Sequence, residues 1–165
     1  MNHKRIVVVA DGTRARLFTL EKSALPAVES SPYLHECEDM VNPEHRQASR
    51  DKYSTTRTGF NTSPHSGPRH YDDHRIQQEQ EHERRFACAI AAHAVALAHG
   101  RNANHIVLAA EKHMLGLLRG ALEIPAGSDI QVLELDKDLT RLAPQALQEQ
   151  LAAYGILPKR HLPGS

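Results

Sequence analysis

The chain has 165 residues, 20 Lys+Arg balanced by 20 Asp+Glu, 12 His, and 40% hydrophobic residues. That composition fits one globular domain with a core of its own, and the balanced charge excludes a global basic field, though not a local basic patch. Cys37 and Cys88 are too few for a disulfide scaffold and match no zinc spacing. Aromatic residues make up 4% with no Trp, so the core must be built from Ala, Val, Leu and Ile.

Ile6–Ala10 (IVVVA) is a short, β-branched apolar run and reads as a strand buried on both faces. It is also shorter than the roughly seven to fifteen residues of a signal-peptide core. No stretch reaches the ~18–20 apolar residues of a membrane span, so the expectation is a cytoplasmic protein with no membrane contact. Asp11-Gly12 is a strong hairpin signal, and Arg14–Glu21 alternates well enough to be its second strand. A third strand is expected within Val28–His35, interrupted by Pro32 and therefore at a sheet edge.

From Asn42 to Arg75 the composition changes, and Ala48 is the one aliphatic side chain. A structureless loop of this length is expected, of the kind that is functional or disordered. It carries Arg46, Arg50, Lys52, Arg57, Arg69 and Arg75, with Tyr53, Phe60 and Tyr71 among them. Guanidinium and ammonium groups can meet phosphates, and aromatic rings can stack on unpaired bases.

Ile76–His99 reads as a long helix, polar all round in its first half and apolar on one face at Phe86, Ile90, Ala94 and Leu97. Gly100 is placed to end it in a left-handed cap. His105–Ala110 and Ile130–Leu135 read as two further core strands. Lys112–Leu122 is a helix, with Gly116 and Gly120 expected to let it approach the sheet closely. Pro144 opens a last helix that ends near Tyr154, before Gly155.

The expected fold is therefore α/β: one domain over residues 1–155 and a loose tail over 156–165. Its mixed five-stranded sheet has order 3-2-1-4-5, a β-meander followed by α-β-α-β-α.

Five blocks, VVVADGTRARLFTLE, VNPEHRQASRD, RRFACAIAAH, IVLAAEKHMLGLLRGAL and LELDKDLTRLAPQAL, resemble in order the bacterial host-attachment proteins, over roughly residues 5–153. That family resembles in fold the middle domain of archaeal and eukaryotic peptide-release factors. There, a Gly-Gly-Gln loop ahead of a long helix reaches the ribosomal catalytic centre. Here Ser66-Gly67-Pro68-Arg69 stands in its place, with no Gly-Gly-Gln. The resemblance implies a ribosome- or RNA-facing loop without release chemistry.

The binding residues expected on this reading are Arg46, Arg50, Lys52, Arg57, Phe60, His65, Gly67, Arg69, His70, Tyr71 and Arg75. The partner is the ribosome or structured RNA, or alternatively another protein, and no cofactor is implied. A metal-dependent hydrolase is the third class. Its ligands would be the carboxylates that follow the core strands, Asp11, Glu111, Asp136 and Asp138, gathered at the edge where open α/β sheets bind ligands. His70 and His74, with His65 and His82 nearby, are a second set of candidate metal ligands. His93 is expected to be a satisfied core histidine and Cys88 a packing thiol.

Overall fold

The computed structural model describes residues 4–44 and 68–163, of which 68–72 by backbone only. Eight elements follow in chain order: β1 (Arg5–Ala10), β2 (Arg14–Glu21), β3 (Tyr33–Val41), α1 (Pro68–Gly100), β4 (His105–Ala110), α2 (Lys112–Ala121), β5 (Gln131–Asp136) and α3 (Pro144–Ala153). The strands form one sheet of order β3-β2-β1-β4-β5, the expected arrangement. β1 pairs antiparallel with β2 across the Asp11-Gly12 turn and parallel with β4, and β4 pairs parallel with β5.

Alternation on β1 divides the core in two. Ile6, Val8 and Ala10 join Leu17, Ile106 and Leu108 beneath Phe86, Ile90 and Ala94 of α1 and Met114, Leu115 and Leu118 of α2. Val7 and Val9 face the other way, with Phe18, Leu34 and Val107, against Leu147 and Leu151 of α3. The central strands are apolar on both faces because both faces are covered by helices.

β3 begins five residues later than expected and runs to Val41. Leu25 to Glu29 instead form a turn, with the Val28 and Glu29 N–H groups both donating to the Leu25 carbonyl. A register shift opposite Leu17/Phe18 breaks the period-2 pattern of β3, which hides the strand from sequence. Two of its acids are held by β2: Asp39 by Arg14, and Glu36 by Arg16.

α1 starts at Pro68 rather than Ile76, eight residues earlier. Proline at the first helical position needs no N–H partner. Residues 73–80 are all exposed, so these turns use no aliphatic side chains, and that is why composition reads them as loop. The left-handed cap after α1 is Asn102, φ 51°, rather than Gly100. Its N–H donates to the His99 carbonyl, and the Ala103 N–H reaches Ala98. Gly155, φ 73°, ends α3 in the same way. Gly116 and Gly120 lie on the exposed side of α2, where an added Cβ would meet nothing within 4 Å, so they do not mediate close approach to the sheet.

Beyond α3 the chain turns back along the domain. Leu157 is buried, His161 pairs with Ser31, Arg160 bonds to Ser30, and Gln148 Nε2 donates to the Pro32 and Pro158 carbonyls. A tail loose from residue 156 does not fit these contacts.

Candidate functional site

The parallel strands β1, β4 and β5 end at one edge of the sheet, and α1 crosses that edge. At ~1.5 Å per residue its 33 residues span about 50 Å, whereas a six-residue strand covers about 20 Å. The buried residues of α1 run from Phe86 to Ala98, a match to the strand length. The turns before them form a polar arm.

The arm is fastened where it meets the sheet edge. Glu44 accepts from Arg85 Nη1 at 3.1 Å and lies 3.5 Å from His82 Nε2. His113 of α2 lies 3.0 Å from Glu83. Gly12 packs under Glu83, whose Oε1 would stand 3.1 Å from an added Cβ. Asn42 is buried, its backbone N–H donating to the Thr13 carbonyl and its side chain to the Gly12 carbonyl. Glu44 therefore lies beside the middle of α1, about 22 Å along the helix from Pro68 by helical rise.

Asp11 holds the turn itself. Its Oδ1 accepts from the Thr13 N–H and hydroxyl and from the Arg14 N–H at 2.7–2.8 Å, and Oδ2 accepts from the Thr140 hydroxyl at 3.3 Å. Burial pushes the Asp11 carboxyl up, but these hydrogen bonds outweigh it and the group titrates below its ordinary value. Asp138 accepts from the same Thr140 hydroxyl and from its N–H. Arg16, only 6% exposed, clamps the same loop from beneath. It forks to Glu36, donates to the Thr140 and Leu142 carbonyls, and lies 4.9 Å from the Phe18 ring centroid.

These contacts give Asp11 and Asp138 a structural task. Among the described residues no three His, Cys, Asp or Glu side chains gather closely enough to hold a metal ion, so Asp11, Glu111, Asp136 and Asp138 form no ligand set. His74 is exposed on α1, one turn from His70. His93 is not a core residue: it is half-exposed and pairs with Glu38 of β3 at 2.6 Å. The pair lies on a shallow trough of about 480 Å³ between α1 and β3, lined also by Ala92, Ala96 and Leu97. Cys88 is exposed rather than packed.

Of the expected binding residues, Arg46, Arg50, Lys52, Arg57, Phe60, His65 and Gly67 lie outside the described residues. Arg69, His70, Tyr71 and Arg75 lie on the helical arm rather than on a loop. Arg75 is exposed, with Glu79 at 3.7 Å. Sequence reading missed Asn42, Glu44, Glu83 and His113, whose association depends on the crossing of α1 over the sheet edge and on no local spacing.

No curated protein matches the chain. A family model does: the one described as "Protein required for attachment to host cells" matches residues 6–151, from β1 into α3. The chain belongs to that family.

Proposed function

We propose that this member of the family binds ribosomal or structured RNA, without catalysis, through the arm of α1 and the 45–67 segment. The exposed polar helix over residues 73–80 carries the reading. A helix that is almost wholly polar and exposed along its length suits a partner or solvent. The 45–67 segment adds Arg46, Arg50, Lys52 and Arg57 against the single acid Asp51, with Tyr53 and Phe60 as stacking residues. The resemblance to release-factor middle domains supports the same reading. Ser66-Gly67-Pro68-Arg69 in place of Gly-Gly-Gln gives no glutamine for release chemistry.

Cosedimentation with ribosomes, and binding to a structured RNA across a salt series, test the proposal. Replacing Arg46, Arg50, Lys52 and Arg57 by Ala should weaken binding and flatten its salt dependence, because fewer counterions are released. Replacing Phe60 and Tyr71 by Ala should weaken binding with little change in the salt slope. Absence of RNA binding at low salt overturns the proposal.

One observation favours a protein partner instead. The described arm carries Asp73, Glu79, Glu81 and Glu83 beside Arg75, Arg84 and Arg85, with Ile76 51% exposed. Mixed charge around an exposed aliphatic residue suits a protein surface. A captured complex that survives ribonuclease, and is lost on Ile76→Asp, would decide for this reading.

A further inference from the structure

The two edges of the sheet are finished differently. β3 has a bulge and three carboxylates. Glu36 reaches Arg16 on the α3 side, and Glu38 reaches His93 on the α1 side. Bulges and charges are the devices that keep an edge from pairing with another chain. β5 has no bulge and no proline.

The Gln131 N–H donates to the Asn104 carbonyl, and this bond sets the alternation of the β4–β5 ladder. Residues 131, 133 and 135 bond to β4, and the peptide groups of Val132, Glu134 and Asp136 point outward. Among the described residues no backbone hydrogen bond meets these outward groups. Val132, Leu133 and Leu135 are each only half-buried, Val132 toward α2 and the two leucines toward α3.

We propose that β5 is the seam of a homodimer, with the β5 of a second copy added antiparallel about a two-fold axis through Leu133. The strand is self-complementary in this register. Val132 faces Glu134 of the second copy, and Glu134 faces its Val132, so outward peptide groups exchange hydrogen bonds on both sides of the axis. Leu133 meets itself across the axis, and Gln131 meets Leu135 on both sides of it, with all of these side chains on the α3 side. Glu134 already accepts two hydrogen bonds from Arg119, at 2.7 and 2.6 Å, so the seam takes in no unpaired charge. A shift of the axis to Glu134 would set two carboxylates face to face. A shift by half a residue would oppose side chains on different faces. The same operation on β3, about Cys37, sets Glu36 against Glu38, two acids on opposite faces. This self-fit points to a second copy rather than to a foreign strand.

Sedimentation velocity of the full chain over a dilution series should show monomer giving way to dimer as concentration rises. A monomer at every concentration overturns the proposal. In a Cys37→Ser, Cys88→Ser background, Leu133→Cys should form an intermolecular disulfide under mild oxidation. Facing residues of a non-hydrogen-bonded pair have Cα atoms ~4.5 Å apart, within disulfide reach. Glu134→Cys should form none, because its two copies stand on a diagonal of ~7–8 Å. Cross-linking at 134, or at neither position, overturns the seam.

Discussion

α1 is one continuous helix held in two different ways. From Phe86 to Ala98 it is fixed by burial: Phe86, Ala87, Ile90, Ala94 and Ala98 join one core cluster with residues of the sheet and α2, and Ala91 is buried as well. From residue 73 to 80 every side chain is exposed, and the helix there rests on backbone hydrogen bonds and pairs such as Arg75 with Glu79. Such i,i+4 pairs are worth about 0.3–0.5 kcal/mol. A free helix this short is marginal in water, so the arm persists because the buried half supplies its nucleus. Stability is thus concentrated in one half of a single element, and the other half can carry charge without weakening the core.

The sharpest way to break this comparison is to put the same charge in both halves. Ile90→Asp buries an unpaired carboxylate among Ile6, Val8 and Ile106, and should remove about 4 kcal/mol or more, enough to abolish the cooperative thermal transition. Ile76→Asp should change stability by less than about 0.5 kcal/mol. Equal losses on thermal denaturation would mean that the arm is packed after all.

The same contrast explains what sequence could reveal. Burial leaves a periodic record, and β1, β2, β4 and the packed half of α1 are read from it directly. The arm leaves none, so Pro68 to Arg75 reads as loop. β3 fails for another reason: its acids Glu36 and Asp39 pair with Arg16 and Arg14, 20 and 25 residues away, and its bulge removes the alternation. His93 sits beside an apolar face in sequence, yet its partner Glu38 lies on another element, 55 residues earlier. At the sheet edge topology places the carboxylates together, but Asp11 and Asp138 are taken up by the hydroxyls and N–H groups of Thr13, Arg14 and Thr140, which turn geometry supplies and spacing does not.

A middle-sized effect should come from Arg16, which joins β2 and β3 to the loop before α3. Arg16→Met keeps the stem and removes the guanidinium, leaving Glu36 and the Thr140 and Leu142 carbonyls without their donor. Breaking a fully buried pair costs about 3–5 kcal/mol, and Glu36 is partly exposed, so about 3 kcal/mol is expected here. Urea denaturation measures it. A loss below about 1 kcal/mol would show that water replaces the clamp, and that the loop before α3 is no better fixed than the arm.

A smaller effect than that of Arg16 lies at the junction itself, in the Asp11 turn under Glu83, and pH exposes it. The Asp11 carboxyl has a folded pKa below its unfolded value, near 3.8, so its ionised form is the one the fold prefers. Its contribution is fully present above the unfolded pKa and is lost as pH falls through the folded one. Asp39 beside Arg14 and Glu134 beside Arg119 are lowered in the same direction, each chiefly by the hydrogen bond from its arginine, so the wild-type chain should lose stability over the same acid window. Asp11→Asn retains a side-chain oxygen for the turn and removes the charge that strengthens its hydrogen bonds. At neutral pH the variant should be less stable by about 1 kcal/mol. The difference should shrink as pH falls below about 4 and vanish once wild-type Asp11 is protonated as well. Urea midpoints for both proteins across that range test the assignment. A gap that stays constant with pH would mean that Asp11 acts through turn shape alone, and not through the charge its hydrogen bonds hold at the root of the arm.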